Sequence, residues 1–156
     1  MRFAGACEWI ADRNVTDLTA WIESIDLAEW HQQSPIDHQL RPAMMTDLNW
    51  HGFGARVKPL MQELSATFQW PKLYQAMLSV VMPGHNIPPH IDEQNPNWWF
   101  RVHVPLLTNP ESDFIVEDTA HQLHVGGVYK VNTQRVHAVT NRGPTPRYHF
   151  MFDVGD

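Results

Sequence analysis

A single cysteine, Cys7, stands in the sequence, so no intrachain disulfide can form and the fold must rest on its own core. That fits a reducing compartment, and residues 1–7 lack the seven or more apolar residues of a secretory hydrophobic region, so the expectation is a cytoplasmic protein. Long apolar runs are missing as well. The longest, residues 77–82, is interrupted by Ser79 and falls far short of the roughly twenty residues needed to cross a bilayer, so no membrane span is expected. Basic residues are in deficit: 11 Lys and Arg stand against 17 Asp and Glu, for a net charge of -6, and they are scattered rather than clustered. Nucleic acid is therefore excluded as an expected partner. No segment repeats at solenoid periods and no low-complexity block occurs.

What is present is ordinary in bulk. Apolar residues make up 43% and charged residues 18%, close to globular averages. A length of 156 residues suits one domain, which at this size buries roughly 70% of the surface the unfolded chain would expose. The ten histidines are the exception, a high count that first hints at metal or acid–base chemistry.

Periodicity divides the chain near Pro71. Before it, Leu18, Trp21, Ile22 and Ile25 fall at helical spacing behind the capping candidates Asn14 and Thr16, and Val57, Leu60, Met61, Leu64 and Phe68 repeat the pattern. After it come seven short runs rich in Val, Ile, Phe and Tyr: residues 73–82, 99–107, 113–116, 122–125, 128–131, 136–140 and 147–154. Pro83-Gly84, Asn109-Pro110, Gly126-Gly127 and Arg142-Gly143-Pro144 punctuate them. Closely spaced strands with few intervening helices predict a mainly β fold with flanking helices, a double-stranded β-helix of the jelly-roll, cupin-like type. The expected organisation is one domain over residues 1–156, with a helical and irregular part (1–71) packing on a jelly-roll catalytic core (72–156).

His90-Ile91-Asp92 puts two ligand-type side chains on one side of an extended segment. His137, in a late strand flanked by Val136 and Val139, completes a set of two histidines and one carboxylate, which leaves open positions on iron(II) for a bidentate 2-oxo acid and dioxygen. The alternative is a loop turn at Pro88-Pro89-His90, an Asp92 that caps backbone, and a His137 satisfied in the core. The neighbours favour the metal. Arg101 and His103 lie on one side of their strand, and a buried arginine needs an anion, which would be a ligand unless that face is exposed. Arg147 follows one strand after His137, and its planar fork suits the far carboxylate of a diacid, with a surface ion pair as the plainer reading.

Taken together, Ser79, Pro83-Gly84-x-x-Ile87-x-x-His90, Arg101-x-His103, Gly127, His137, Asn141 and Arg147 resemble, in order and spacing, the aspartyl/asparaginyl beta-hydroxylase family of iron(II)- and 2-oxoglutarate-dependent oxygenases. The resemblance covers residues 79–153. It implies that His90 and His137 ligate iron, that Arg147 with Ser79 holds the distal carboxylate of 2-oxoglutarate, and that Arg101 and His103 meet its metal-proximal carboxylate. Two departures matter. The best-known animal members lack a carboxylate two residues after the first histidine, whereas Asp92 stands here and predicts a complete triad. Those animal enzymes also carry a membrane anchor and a helical-repeat region, for which this chain has no room, so their protein substrate does not transfer.

The expectation is a dioxygenase hydroxylating an amino acid, free, in a peptide or carrier-bound. The other readings are a catalytically silent jelly-roll module that binds a small carboxylate, and a cupin-type metalloenzyme without a 2-oxo acid. Trp98 and Trp99 line a pocket or simply pack. His85, His121 and His124 form no second metal set, and His31, His38 and His51 read as loop residues.

Overall fold

The computed structural model describes residues 3–30, 42–93 and 95–156. The regular elements, in order, are β1 (Cys7–Asp12), α1 (Thr16–Ser24), β2 (Ala43–Met45), α2 (Phe53–Phe68), β3 (Lys72–Val81), β4 (Asn86–His90), β5 (Trp98–Leu107), β6 (Ser112–Val116), β7 (Thr119–His121), β8 (Gly127–Val131), β9 (His137–Asn141) and β10 (Arg147–Gly155). They build two sheets, one ordered β1-β8-β5-β10-β3-β2 and one ordered β4-β9-β6-β7, with every pairing antiparallel. The predicted jelly roll is the observed architecture.

Both helices form for the expected reasons. The side chain of Asn14 accepts hydrogen bonds from the Thr16 backbone N–H at 3.0 Å and from its hydroxyl at 2.6 Å, just ahead of α1. Leu18, Trp21 and Ile22 then bury one face of that helix. Helix α2 starts earlier than its apolar repeat, at Phe53, and ends where Gln69 turns left-handed at φ 55° and Trp70 N–H reaches back to the Ser65 carbonyl at 3.0 Å.

Period-two alternation in β3, β5 and β10 separates two layers of the interior. Leu78 and Val80, Phe100, Val102, Val104 and Leu106, and Phe150 and Phe152 pack with Trp21, Ile22, Phe53 and Val57 in one core between the larger sheet and the helices. Phe53, Phe150 and Phe152 are fully buried there, and truncating such a ring to alanine costs about 3–5 kcal/mol. A second core lies between the sheets, where Val81, Val131, Phe114, Val116 and Val139 meet. The residues alternating with the first set point the other way and include a group of buried polar side chains: Ser79 on β3, Arg101 and His103 on β5, and Arg147, His149 and Asp153 on β10.

The structure departs from the sequence expectation in four elements. The part before Pro71 was expected only to pack on the jelly roll, yet it supplies both edges of the larger sheet, β1 beside β8 and β2 beside β3. Charged residues such as Glu8 and Asp12 on an edge strand hide the strand signal while guarding the edge, and β2 is only three residues, Ala43–Met45. Strand β4 contains Pro88 and Pro89, which argue against a central strand and are tolerated because β4 is an edge. The segment expected as a strand at 122–125 is irregular and runs from β7 into a turn at 125–126, and Leu123 buries in the inter-sheet core from it, which periodicity does not distinguish from a strand. Among the described residues, no helix is long and apolar enough to cross a membrane.

Candidate active site

His90, the last residue of β4, lies directly opposite His137, the first residue of β9. The register slips just before it: the three steps from Ile87 to His90 match the two steps from Val139 to His137. Pro88 and Pro89 occupy that slip, where the absence of N–H groups leaves no ladder bond to lose. Regular alternation would turn Pro89 to the side that Ile87 faces. The extra residue brings His90 there instead, and Ile87 and His90 border one cavity.

Asp92 lies just beyond β4, held by its backbone N–H on the Thr133 carbonyl at 3.0 Å. Its Oδ1 stands 3.3 Å from Nε2 of His90 and 3.6 Å from Nε2 of His137. One ligand-type atom from each of the three residues lies within 4.8 Å of the others. The second nitrogen of each ring is already committed. His90 Nδ1–H donates to the Pro88 carbonyl and His137 Nδ1–H to the Arg135 carbonyl, each at 2.8 Å, which leaves the Nε2 of a neutral ring without a proton. With both rings neutral, the two Nε2 lone pairs and the Asp92 oxygen face one another, an arrangement that a cation relieves; without one, a proton on His137 Nε2 serves as the link to Asp92. Two imidazoles with one carboxylate form the ligand set suited to iron(II), with each imidazole oriented through its other nitrogen.

Arg101 is partnered from within the chain. It donates from Nε and Nη2 to the two oxygens of Asp153, at 2.8 and 3.1 Å, and from Nη1 to Oδ2 of Asp92 at 2.7 Å. From the sequence, a buried arginine at this position implies an anionic ligand; two protein carboxylates, Asp153 and Asp92, fill that role instead. Burial works to discharge the guanidinium, but Asp153 and Asp92 outweigh it, so its pKa lies above the ordinary value. Burial likewise pushes the Asp92 carboxyl up, and His137, Arg101 and His90 more than offset it, leaving its pKa below the usual carboxylate value.

Arg147 has no such partner. It is 2% exposed, and among the described residues no carboxylate pairs with it. Its Nη1 sits 3.5 Å from the Ser79 hydroxyl, and its Nη2 donates to Nδ1 of His149 at 2.8 Å. Burial pushes its pKa down to about 9, the signature of a cation stripped of water without a counter-ion. His103 lies beside it, with its Nδ1 at 3.1 Å from Nδ1 of His149. Both histidines are held neutral, their pKa values well below the ordinary 6.5, first by burial and then by the Arg147 charge.

One cavity of about 90 Å³ is bordered by all seven residues singled out from the sequence, namely Ser79, His90, Asp92, Arg101, His103, His137 and Arg147. Phe114, Val139 and Met151 complete its wall with apolar surface. The metal-type cluster lies at its partly exposed side and the guanidinium of Arg147 at its buried end.

A model of the aspartyl/asparaginyl beta-hydroxylase family matches residues 28–156. The chain belongs to that family. The match reaches well upstream of Ser79, where the motif resemblance begins. Members are enzymes of the iron(II) and 2-oxoglutarate oxygenase class, and the His-Asp-His cluster meets the metal requirement of that class. No curated protein sequence matches the chain. Among solved structures the fold is similar to the viral collagen prolyl hydroxylase vCPH from Paramecium Bursaria Chlorella virus-1 in its 2OG complex (10% identity, 97% of this chain and 96% of that one, TM-score 0.63). It is also similar to AviO1 from Streptomyces viridochromogenes Tue57 (14% identity, 97% and 90%, TM-score 0.66) and to a Pseudomonas putida prolyl-4-hydroxylase (12% identity, 97% and 93%, TM-score 0.63). At such identities the likeness concerns the fold.

The side-chain partners of the two buried arginines, His149 and Asp153, are not marked by the motif residues. Both lie on β10 an even number of residues from Arg147, so polar side chains at period two in an otherwise apolar strand were the signal that identifies them. Asn141, one of the family motif residues, is structural: its amide donates to the Val81 and Thr145 carbonyls at 2.8 and 2.9 Å. Trp98 and Trp99 do not border the cavity, and Trp99 packs against the helix-side core. His124 meets Asp12 and the Tyr129 hydroxyl, and His51 lies 3.5 Å from Glu29. His31 and His38 lie outside the described residues.

Proposed function

We propose that this chain, acting as one catalytic domain over residues 1–156, is an iron(II)- and 2-oxoglutarate-dependent dioxygenase that hydroxylates an amino acid, free, within a peptide or carrier-bound. His90, Asp92 and His137 hold the iron, which when bound supplies oxygen activation coupled to decarboxylation of the 2-oxo acid. Arg147 and Ser79 take the distal carboxylate of 2-oxoglutarate, at the buried end of the cavity. A carboxylate there gives the lone guanidinium its counter-ion through charge-assisted hydrogen bonds. His103, on the cavity wall, lies toward the metal-proximal part of the cosubstrate. Arg101, whose fork is taken by Asp153, acts as a positioning residue that keeps one oxygen of Asp92 occupied and the other turned to the histidines. The apolar wall of Phe114, Val139 and Met151 keeps bulk water from the reacting centre.

The observation that carries this reading is the juxtaposition, in one cavity, of three converging ligand-type atoms and a buried cation without a carboxylate partner among the described residues. A silent carboxylate-binding module accounts for the second feature alone, and a cupin metalloenzyme without a 2-oxo acid for the first alone. Anaerobic addition of iron(II) and then 2-oxoglutarate distinguishes them: a weak visible charge-transfer band is expected, and its absence rejects the proposal. A screen of amino acids and short peptides for stimulated succinate release then identifies the substrate class, with no stimulation by any of them counting against an amino-acid substrate.

A further inference from the structure

His149 has no place in the ligand set or in the clamps drawn from the family motif, yet it is 2% exposed and wedged between two of the pocket's polar groups. It follows Arg147 by two residues on β10, so both side chains leave the strand on the same side. A guanidinium has only donors, and Arg147 Nη2 lies 2.8 Å from His149 Nδ1, so that nitrogen carries no proton and the ring carries its one proton on Nε2. The same bare nitrogen lies 3.1 Å from Nδ1 of His103. Two unprotonated nitrogens at that distance would repel. The assignment in which each contact is a hydrogen bond gives His103 its proton on Nδ1, shared toward His149, and leaves His103 Nε2 bare. One arginine therefore dictates the tautomers of two histidines in sequence.

The geometry points to His149 as a positioning residue of the cosubstrate pocket: its Nδ1 holds the Arg147 guanidinium against β10, with Nη1 left toward Ser79, and simultaneously sets the proton position of His103. This rests on the proposed reading of the cavity as a 2-oxoglutarate site. Among the described residues no carboxylate orients Arg147, so a neutral acceptor is what keeps its donors aimed without neutralising the charge the cosubstrate needs. A carboxylate at position 149 would compete with the ligand, and an apolar residue would leave the fork free to rotate.

Two measurements test it, the first without any variant. Long-range nitrogen–proton correlation spectra of the metal-free, histidine-labelled protein should show His149 protonated on Nε2 and His103 on Nδ1. A proton on Nδ1 of His149 would overturn the assignment. The second is calorimetric titration of anaerobic, iron(II)-loaded protein with 2-oxoglutarate. His149→Asn, whose amide oxygen reproduces the Nδ1 acceptor, should bind within about threefold of the unaltered protein, whereas His149→Phe, of similar shape without an acceptor, should lose on the order of tenfold in affinity. Equal affinity in the phenylalanine variant, or equal loss in both, overturns the role. If the unaltered protein bound no 2-oxoglutarate, the cavity reading would fail, and the tautomers would still report on the His149–Arg147 contact by themselves.

Discussion

Arg101 donates to Oδ2 of Asp92 at 2.7 Å, while the other oxygen of that carboxylate is the one that faces His90 and His137. The two oxygens thus have separate tasks. Arg101 is itself anchored by the two oxygens of Asp153, so the orientation of the Asp92 carboxylate is inherited from the larger sheet, where Asp153 and Arg101 pair across β10 and β5. Partners of this kind typically change metal affinity 10–100-fold when removed. Arg101→Gln should therefore weaken binding of iron(II), or of manganese(II) as a stand-in, by about that factor in a competition titration. It should also destabilise the fold by about 3–5 kcal/mol, because Asp153 is left buried without its counter-charge. Unchanged metal affinity would remove Arg101 from the positioning of Asp92.

The sheets and helices were legible because their apolar periods differ and because each strand of the β3, β5, β10 group buries one face against the helices. Three strands gave no signal, each for a local reason: charge on β1, brevity in β2, and the two prolines of β4; a fourth, β7 at Thr119–His121, lies just before the run that reads as a strand at 122–125. The convergence of His90, Asp92 and His137 was legible because their residue types and spacing suit a metal, and the demand of Arg101 for an anion because burying an unpaired guanidinium is costly. Which anion was not legible. Asp153 stands 52 positions from Arg101, and the two meet only through the register of β5 on β10, which residue pattern alone does not specify. Arg101 and Arg147 look equivalent in sequence, and the structure separates them by giving a carboxylate to one and a histidine to the other.

Removing a metal ligand tests the triad without threatening the fold, most cleanly at Asp92. Arg101 keeps its bidentate pair with Asp153 when Asp92 is lost, so Asp92→Ala should remain folded. Its iron content after reconstitution should fall sharply, and His90→Ala and His137→Ala should lose both bound iron and coupled succinate formation. Normal turnover in either histidine variant would reject the ligand assignment. Full iron occupancy in Asp92→Ala would reject the carboxylate as the third ligand.

The buried neutral histidines make stability depend on pH in a defined direction. His103 and His149 have folded pKa values well below 6.5, chiefly through burial, whereas in the unfolded chain they take up protons near 6.5. Their contribution is complete above that value and is lost as the pH falls through it, because the unfolded state binds protons the folded state refuses. Each contributes a slope of about 1.4 kcal/mol per pH unit. Urea unfolding of the metal-free protein between pH 7 and pH 5 should show this loss, and His149→Phe should reduce the slope by one proton. An identical slope in that variant would mean that His149 is not neutral in the folded protein.

Arg147 offers the sharpest separation between function and stability. A buried cation with no carboxylate partner among the described residues opposes folding, and burial pushes its pKa down to about 9. Among the described residues its polar contacts are a serine hydroxyl and a neutral imidazole, neither of which offsets that cost. Arg147→Met, close in length and apolar, should raise the melting temperature of the metal-free protein. The same substitution should weaken 2-oxoglutarate binding by roughly 10- to 150-fold, the equivalent of losing a charge-assisted hydrogen bond of about 1.5–3 kcal/mol. Calorimetry with and without cosubstrate reads both effects in one preparation. A variant that melts lower and binds 2-oxoglutarate as tightly as the unaltered protein would show that Arg147 serves the fold and not the ligand.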